Sequence, residues 1–115
     1  MSLSTKQQRF TECVGTLIAY AYERGYAFTF GDAYRDSRLH GDFGDKRGYG
    51  AANSVHKLRL AVDLNLFVDG QYITDTGHPA YTELGELWES LDADARWGGR
   101  FEDGNHFSFE HWGFK

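Results

Sequence analysis

The stretch SVHKLRLAVDLNLF, residues 54–67, decides how the rest of the chain is read. From Leu58 to Leu66 every even position is apolar (Leu58, Leu60, Val62, Leu64, Leu66), while Arg59, Asp63 and Asn65 share the other face with Ala61. A period of two over this length predicts a strand with one face in the core. Asp69-Gly70 then predicts a tight hairpin into QYIT, residues 71–74. Two ionisable residues mark the apolar run, His56 at its mouth and Asp63 within it, seven positions later. Residues seven apart on an ideal strand point to opposite faces, so the two converge only if the chain turns or bulges near Lys57.

Working outward, Ser4 and Gln7 fit a capping box. Phe10, Cys13, Val14, Leu17, Ile18 and Ala21 then recur at helical spacing as far as Gly25, which predicts a helix over residues 5–23. YAFTFGDAY, residues 26–34, alternates as a strand that ends near Tyr34 and Arg35. Residues 36–52 carry glycines among charges without apolar periodicity and read as a long loop, with Gly41–Gly50 as a flap over a cleft or a solvated insertion. TELGELWESL, residues 82–91, predicts a second helix packing Leu84, Leu87, Trp88 and Leu91. The tail returns to aromatic strands around two glycine turns. The pattern predicts a single α+β domain over residues 1–115, a small antiparallel sheet packed against an N-terminal helix with a second short helix.

With 115 residues, 41% hydrophobic and 17% aromatic, the chain is long enough for one modest core. A formal charge of −5 and no clustered basic face argue against nucleic acid as a partner. The single cysteine, Cys13, excludes an internal disulfide and a thiolate zinc site and falls on the apolar helix face. No run is long enough to span a bilayer and no export signal is evident, so the expectation is a monomer made in the cytoplasm, without membrane insertion.

Of the five histidines, His40 and His78 have no acidic partner in sequence, whereas His56 and His106 border apolar segments close to aspartates. An aspartate within a strand of leucines and valines is costly unless a cation accompanies it, so Asp63 calls for one. Two neutral imidazoles and one carboxylate, His56, His106 and Asp63, make a catalytic zinc set with a fourth position left for water. Asp103, three residues before His106, is then placed to take a proton from that water. The competing reading is an exposed sheet face on which Arg59 pairs with Asp63, followed by a solvated Asp-Gly turn. Spacing alone leaves both open.

These residues resemble the peptidoglycan peptidases of the M15 family, which include D-alanyl-D-alanine carboxypeptidases and phage L-alanyl-D-glutamate endopeptidases. The family pattern Ser-x-His-x-x-Gly-x-Ala-x-Asp is matched in register by Ser54, His56, Ala61 and Asp63, and the later Asp/Glu-x-x-His by Asp103 and His106. Arg35 in AYRDSR resembles an arginine typical of the family on an earlier strand, and the Trp97-Gly98-Gly99 step is similar to that of the phage members. One position departs from the pattern: Arg59 stands where the motif has glycine.

The resemblance implies zinc held by His56, Asp63 and His106, with Asp103 as general base and Arg35 stabilising charge on the scissile carbonyl; the alternative for Arg35 is a surface arginine paired with Asp32 or Asp36. It implies Ser54 as a supporting or turn residue, since the zinc water already supplies the nucleophile. Trp97 and Tyr34 are candidates for supporting the site or binding substrate. Tyr49, Phe107 and Trp112 are further aromatics for which core packing is the default reading and cleft lining the alternative. The substrate implied is a peptidoglycan stem peptide, cut after the protein reaches the wall of a permeabilised host, as a phage endolysin does. A D,D-carboxypeptidase of the same family is the nearest alternative. A non-catalytic virion or wall-binding module is another, with His111 or His40 closing a structural zinc site. A glycosidase using Asp63 and Asp103 leaves both histidines without a role.

Overall fold

The computed structural model describes residues 2–44 and 53–115. Helix α1 (Leu3–Glu23) leads into strand β1 (Tyr26–Phe30), followed by a four-residue helix α2 (Ser37–His40) and a 3-10 turn (Val55–Leu58). Strands β2 (Ala61–Val68) and β3 (Gln71–Tyr72) come next, then helix α3 (Pro79–Leu91) and strand β4 (Ala95–Trp97). A second 3-10 turn (Gly98–Phe101) precedes strand β5 (His106–Phe109). The antiparallel sheet has the order β1-β2-β5-β4, with β3 also on β2, and the fold is the α+β arrangement expected from the sequence.

Strand β2 is the spine of the sheet. Its second half pairs with β1, from Tyr26 opposite Val68 to Phe30 opposite Leu64, and its first half pairs with β5, placing Asp63 opposite His106. Val62, Leu64 and Leu66 are buried with Phe107 and Phe109, against Phe10, Cys13, Leu17 and Ala21 of α1 and Leu84 and Trp88 of α3. The ring of Phe10 meets Trp88 at 5.6 Å and Phe109 at 5.3 Å, both edge to face. Each such side chain contributes roughly 1.5–3 kcal/mol by leaving water. The Trp88 indole N–H donates to the carbonyls of Arg96 and Ser108, so the largest core ring leaves no donor unpaired. The opposite face of β2 carries Asp63 and Asn65, and this alternation presents the aspartate to the site.

Several boundaries differ from the sequence-based expectation. Helix α1 is capped by Ser2, whose side chain accepts from Thr5 N–H, so Ser4 lies inside the helix. Strand β2 begins at Ala61, three residues later than expected, because Val55–Leu58 coil into the 3-10 turn. Helix α3 starts at Pro79, three residues before the expected start. Proline suits the first helical position, and His78 caps it by accepting from Ala80 N–H at 3.0 Å. The expected hairpin forms, with Asp69 and Gly70 at φ of 51° and 78°. The long loop contains α2, and the outer part of the anticipated flap, residues 45–50, lies outside the described residues together with Tyr49. No helix is long and apolar enough to cross a membrane among the described residues.

Candidate metal centre

The turn that brings His56 to Asp63 is built locally. Ser54 begins the 3-10 turn, its hydroxyl accepting from His56 N–H at 3.2 Å. The turn closes at Arg59, whose φ of 58° and ψ of 34° are left-handed. This is the bend near Lys57 that convergence demands, and it gives a backbone reason for glycine in the family pattern. Arg59 adopts the conformation with its guanidinium over the Tyr34 ring, 4.0 Å from the centroid. Arg59 therefore does not pair with Asp63, and the alternative built on that pair is set aside.

His56 is 1% exposed and held at both ends. Its Nδ1–H donates to the Ala33 carbonyl at 2.7 Å, and its own carbonyl accepts from Arg35 N–H at 3.1 Å. The Nδ1 bond leaves Nε2 with a lone pair directed into the site, the tautomer a metal requires. His106 follows from register: as the cross-strand partner of Asp63, it projects from the same face of the sheet. Asp63 Oδ1 lies 3.3 Å from both His56 Nε2 and His106 Nδ1. One ligand atom from each of the three residues lies within 4.8 Å of the others.

Burial would raise the Asp63 carboxyl, but the His106 and His56 imidazoles beside it outweigh burial, holding the group at about 2. The carboxylate is therefore anionic at neutral pH. Buried Nε2 atoms of both His56 and His106 have no hydrogen-bond partner, although buried polar atoms are normally satisfied. Two orphaned imidazole nitrogens beside a fixed carboxylate fit a divalent ion of zinc's kind, which takes nitrogen and oxygen donors in a small coordination shell. Among the described residues no fourth ligand joins them. His111 lies elsewhere, with Nδ1 3.4 Å from Lys6 Nζ and its ring against Trp112. The side chain of His40 lies outside the described residues.

The site opens into a cleft of about 410 Å³ whose lining includes Arg35, Ser54, His56, Asp103 and His106. Arg35 is fixed by Nη1 donating to Ser54 Oγ at 2.9 Å and Nε to Asp32 at 3.3 Å. The Ser54 hydroxyl thus receives two donors, which suits a supporting residue and not a nucleophile. Asp103 is half exposed, with Oδ2 4.0 Å from His106 Nδ1. Burial and then the charge of Asp63 push its carboxyl up, against a smaller pull from the His106 charge that ranks between them.

Backbone packing holds Asp103 and His106 together. Asp103 N–H donates to the Gly98 carbonyl at 2.9 Å, and His106 N–H to the Asp103 carbonyl at 3.0 Å. A Cβ on Gly98 would lie 2.2 Å from the Asp103 carbonyl oxygen and 2.6 Å from the His106 Cβ. Glycine is required there by contact.

The aromatic side chains divide between the core, a separate groove and the cleft. Trp97 is 4% exposed and pairs with Phe107 on the core face of the sheet, so strand parity turns it away from the cleft. It supports the site from behind by donating its indole N–H to the Gly104 carbonyl at 2.8 Å. Phe107 is core. Tyr34 lines a different, apolar groove with Phe10, Val14 and Arg59. The aromatic walls of the cleft are instead Phe101 and Phe114, joined by Asn53 and Lys115. Nothing in the local sequence marks Phe101, Phe114 and Lys115, because the tail and the second 3-10 turn reach the cleft through long-range folding.

A deep pair of imidazoles sharing one carboxylate, open on a cleft with an arginine and a second carboxylate, defines a hydrolase-type site with the donors for a metal. The family follows from comparison with known proteins. The model of the family described as D-alanyl-D-alanine carboxypeptidase, of the M15 peptidases, matches residues 47–109, over half of the chain, and the chain belongs to this family. No curated protein matches it significantly.

Proposed function

We propose that residues 1–115 form one zinc-dependent catalytic domain that hydrolyses a peptide bond in the peptidoglycan stem peptide, the L-alanyl-D-glutamate bond, as a phage endolysin. The observation that carries the metal-dependent reading is the convergence of ligand atoms of His56, Asp63 and His106 within 4.8 Å, with an unpartnered buried Nε2 on each imidazole. A zinc ion bound there would supply Lewis acidity and a water of pKa near ~7.

The chain's own groups divide the remaining work. His56, fixed through Ala33, and His106, fixed by its strand register, present neutral nitrogens, and Asp63 supplies the anionic donor. Asp103, beside His106 and open to the cleft, accepts the proton of the attacking water and returns it to the leaving amine. Arg35, held by Ser54 and Asp32, is preorganised to meet negative charge on the carbonyl oxygen.

The family description favours a second reading, release of a terminal D-alanine. Digestion of purified peptidoglycan, with mass analysis of the products, separates the two. New D-glutamate amino termini that vanish with chelator are the expected result. Free D-alanine would establish the carboxypeptidase instead, and chelator-insensitive cleavage would remove the metal from the mechanism.

A further inference from the structure

The chain's last turn carries a residue that its backbone disfavours. His111 and Phe114 pair through both backbone hydrogen bonds, at 2.8 and 2.9 Å, leaving Trp112 and Gly113 as the corner. Both corner residues have positive φ, 52° and 81°. Two-residue turns of this kind favour asparagine or glycine at the first corner, and a bulky side chain is a poor occupant. Burial does not offset the misfit, since Trp112 is 74% exposed. A residue held in such a conformation while largely exposed points to a function for its side chain.

The indole is nonetheless held in place. Phe43 meets Trp112 at 5.7 Å and Phe114 at 5.6 Å, both edge to face, and the His111 ring lies 4.4 Å from the indole. Phe114 and Lys115 of the same turn line the cleft beside His56 and His106. The aromatic surface is therefore continuous with the cleft wall.

We propose that Trp112 is a platform on which an N-acetylated sugar ring of the glycan strand stacks while the attached peptide enters the cleft. This rests on the peptidoglycan reading above. A sugar ring offers a face of C–H bonds with hydroxyls at its rim, and an indole face is apolar and electron-rich. Stacking of this kind needs no positive charge, which suits a chain of net charge −5. Reach also matters: a peptide residue spans at most about 3.6 Å, so a bond four residues from the sugar lies roughly 14 Å away and the first bond only a few ångström.

The test uses the zinc-loaded full chain and soluble, peptide-free glycan strands, which contain no bond for it to cut. Trp88 and Trp97 are buried at 0% and 4% exposure, so a change in tryptophan emission reports mainly on Trp112. The expected result is saturable binding by emission and calorimetry. Trp112→Asn should weaken it by about tenfold, as loss of an aromatic anchor does, with the thermal midpoint unchanged or raised because asparagine suits the turn. Trp112→Phe should retain most of the binding. Absence of saturable binding by the wild type, or wild-type affinity in Trp112→Asn, would overturn the platform. Binding without any wall cleavage would instead overturn the peptidase reading and leave the platform standing.

Discussion

The Arg59 guanidinium lies 4.0 Å above the centroid of the Tyr34 ring, on the outer side of two segments that meet again at the metal centre. One segment carries Ala33 and Arg35, the other His56, and they are cross-linked by the His56 Nδ1 bond to the Ala33 carbonyl and the Arg35 N–H bond to the His56 carbonyl. The cation-π contact fastens the same joint from outside, in a chain where the family's glycine is absent.

Substitution at Arg59 should therefore obey the backbone first. A left-handed conformation costs a residue with a Cβ about 1–2 kcal/mol, and a β-branched side chain is the poorest occupant. In denaturant unfolding, Arg59→Val should be less stable than Arg59→Gly by an amount of that order. Equal stability of the two variants would show that the observed φ of 58° does not persist in solution.

The two aspartates should separate by metal retention. Asp63→Asn removes the anionic donor between the histidines and should lower zinc content after dialysis, as should His56→Ala and His106→Ala. Asp103→Asn leaves all three ligands in place, so it should stay zinc-loaded while turnover falls by about 10²–10⁴, the usual contribution of a positioned general base. Wild-type lysis by Asp103→Asn would assign the base to another group.

Acid should destabilise the metal-free protein through Asp63. Its folded pKa of about 2 lies below the ordinary 3.8, so the native state binds the proton less readily than the unfolded chain. The stabilisation, on the order of 2 kcal/mol, is complete above the unfolded pKa and is lost as pH falls from about 4 to 2. Comparing the acid unfolding of wild type and Asp63→Asn checks this, because the variant should lack that component of the decline.

How far these features could be read from sequence depends on the range of the interactions that set them. The helical spacing of Phe10, Cys13, Leu17 and Ala21 and the period of Val62, Leu64 and Leu66 are local, and both faces are buried as read. The three candidate ligands stand out by residue type, spacing alone leaves them open, and the family resemblance selects them; they do converge. The face of Trp97 was not, because it follows from pairing with Phe107 ten residues later. Nor was the lining role of Phe114 and Lys115, which depends on where the tail folds. His78 looked partnerless because its partner is the backbone of the helix it caps.

Gly98 offers the sharpest test of how the second half of the centre is held. A methyl group there meets the Asp103 carbonyl oxygen and the His106 Cβ, both well inside contact distance. Neither neighbour is the free end of a flexible side chain, so the 98–106 turn must shift to admit it. Overpacking of this kind costs typically about 1–3 kcal/mol, and here the displaced groups are the proposed base and a ligand. Gly98→Ala should therefore lower the unfolding midpoint and also weaken zinc binding in the fraction that remains folded. Gly113→Ala is a useful control because nothing lies within 4 Å of its added Cβ. It strains only a terminal turn whose φ is 81°, so its zinc affinity should match the wild type. If Gly98→Ala lost stability but kept wild-type metal affinity, His106 would be held by strand pairing alone and the glycine contact would serve only the fold.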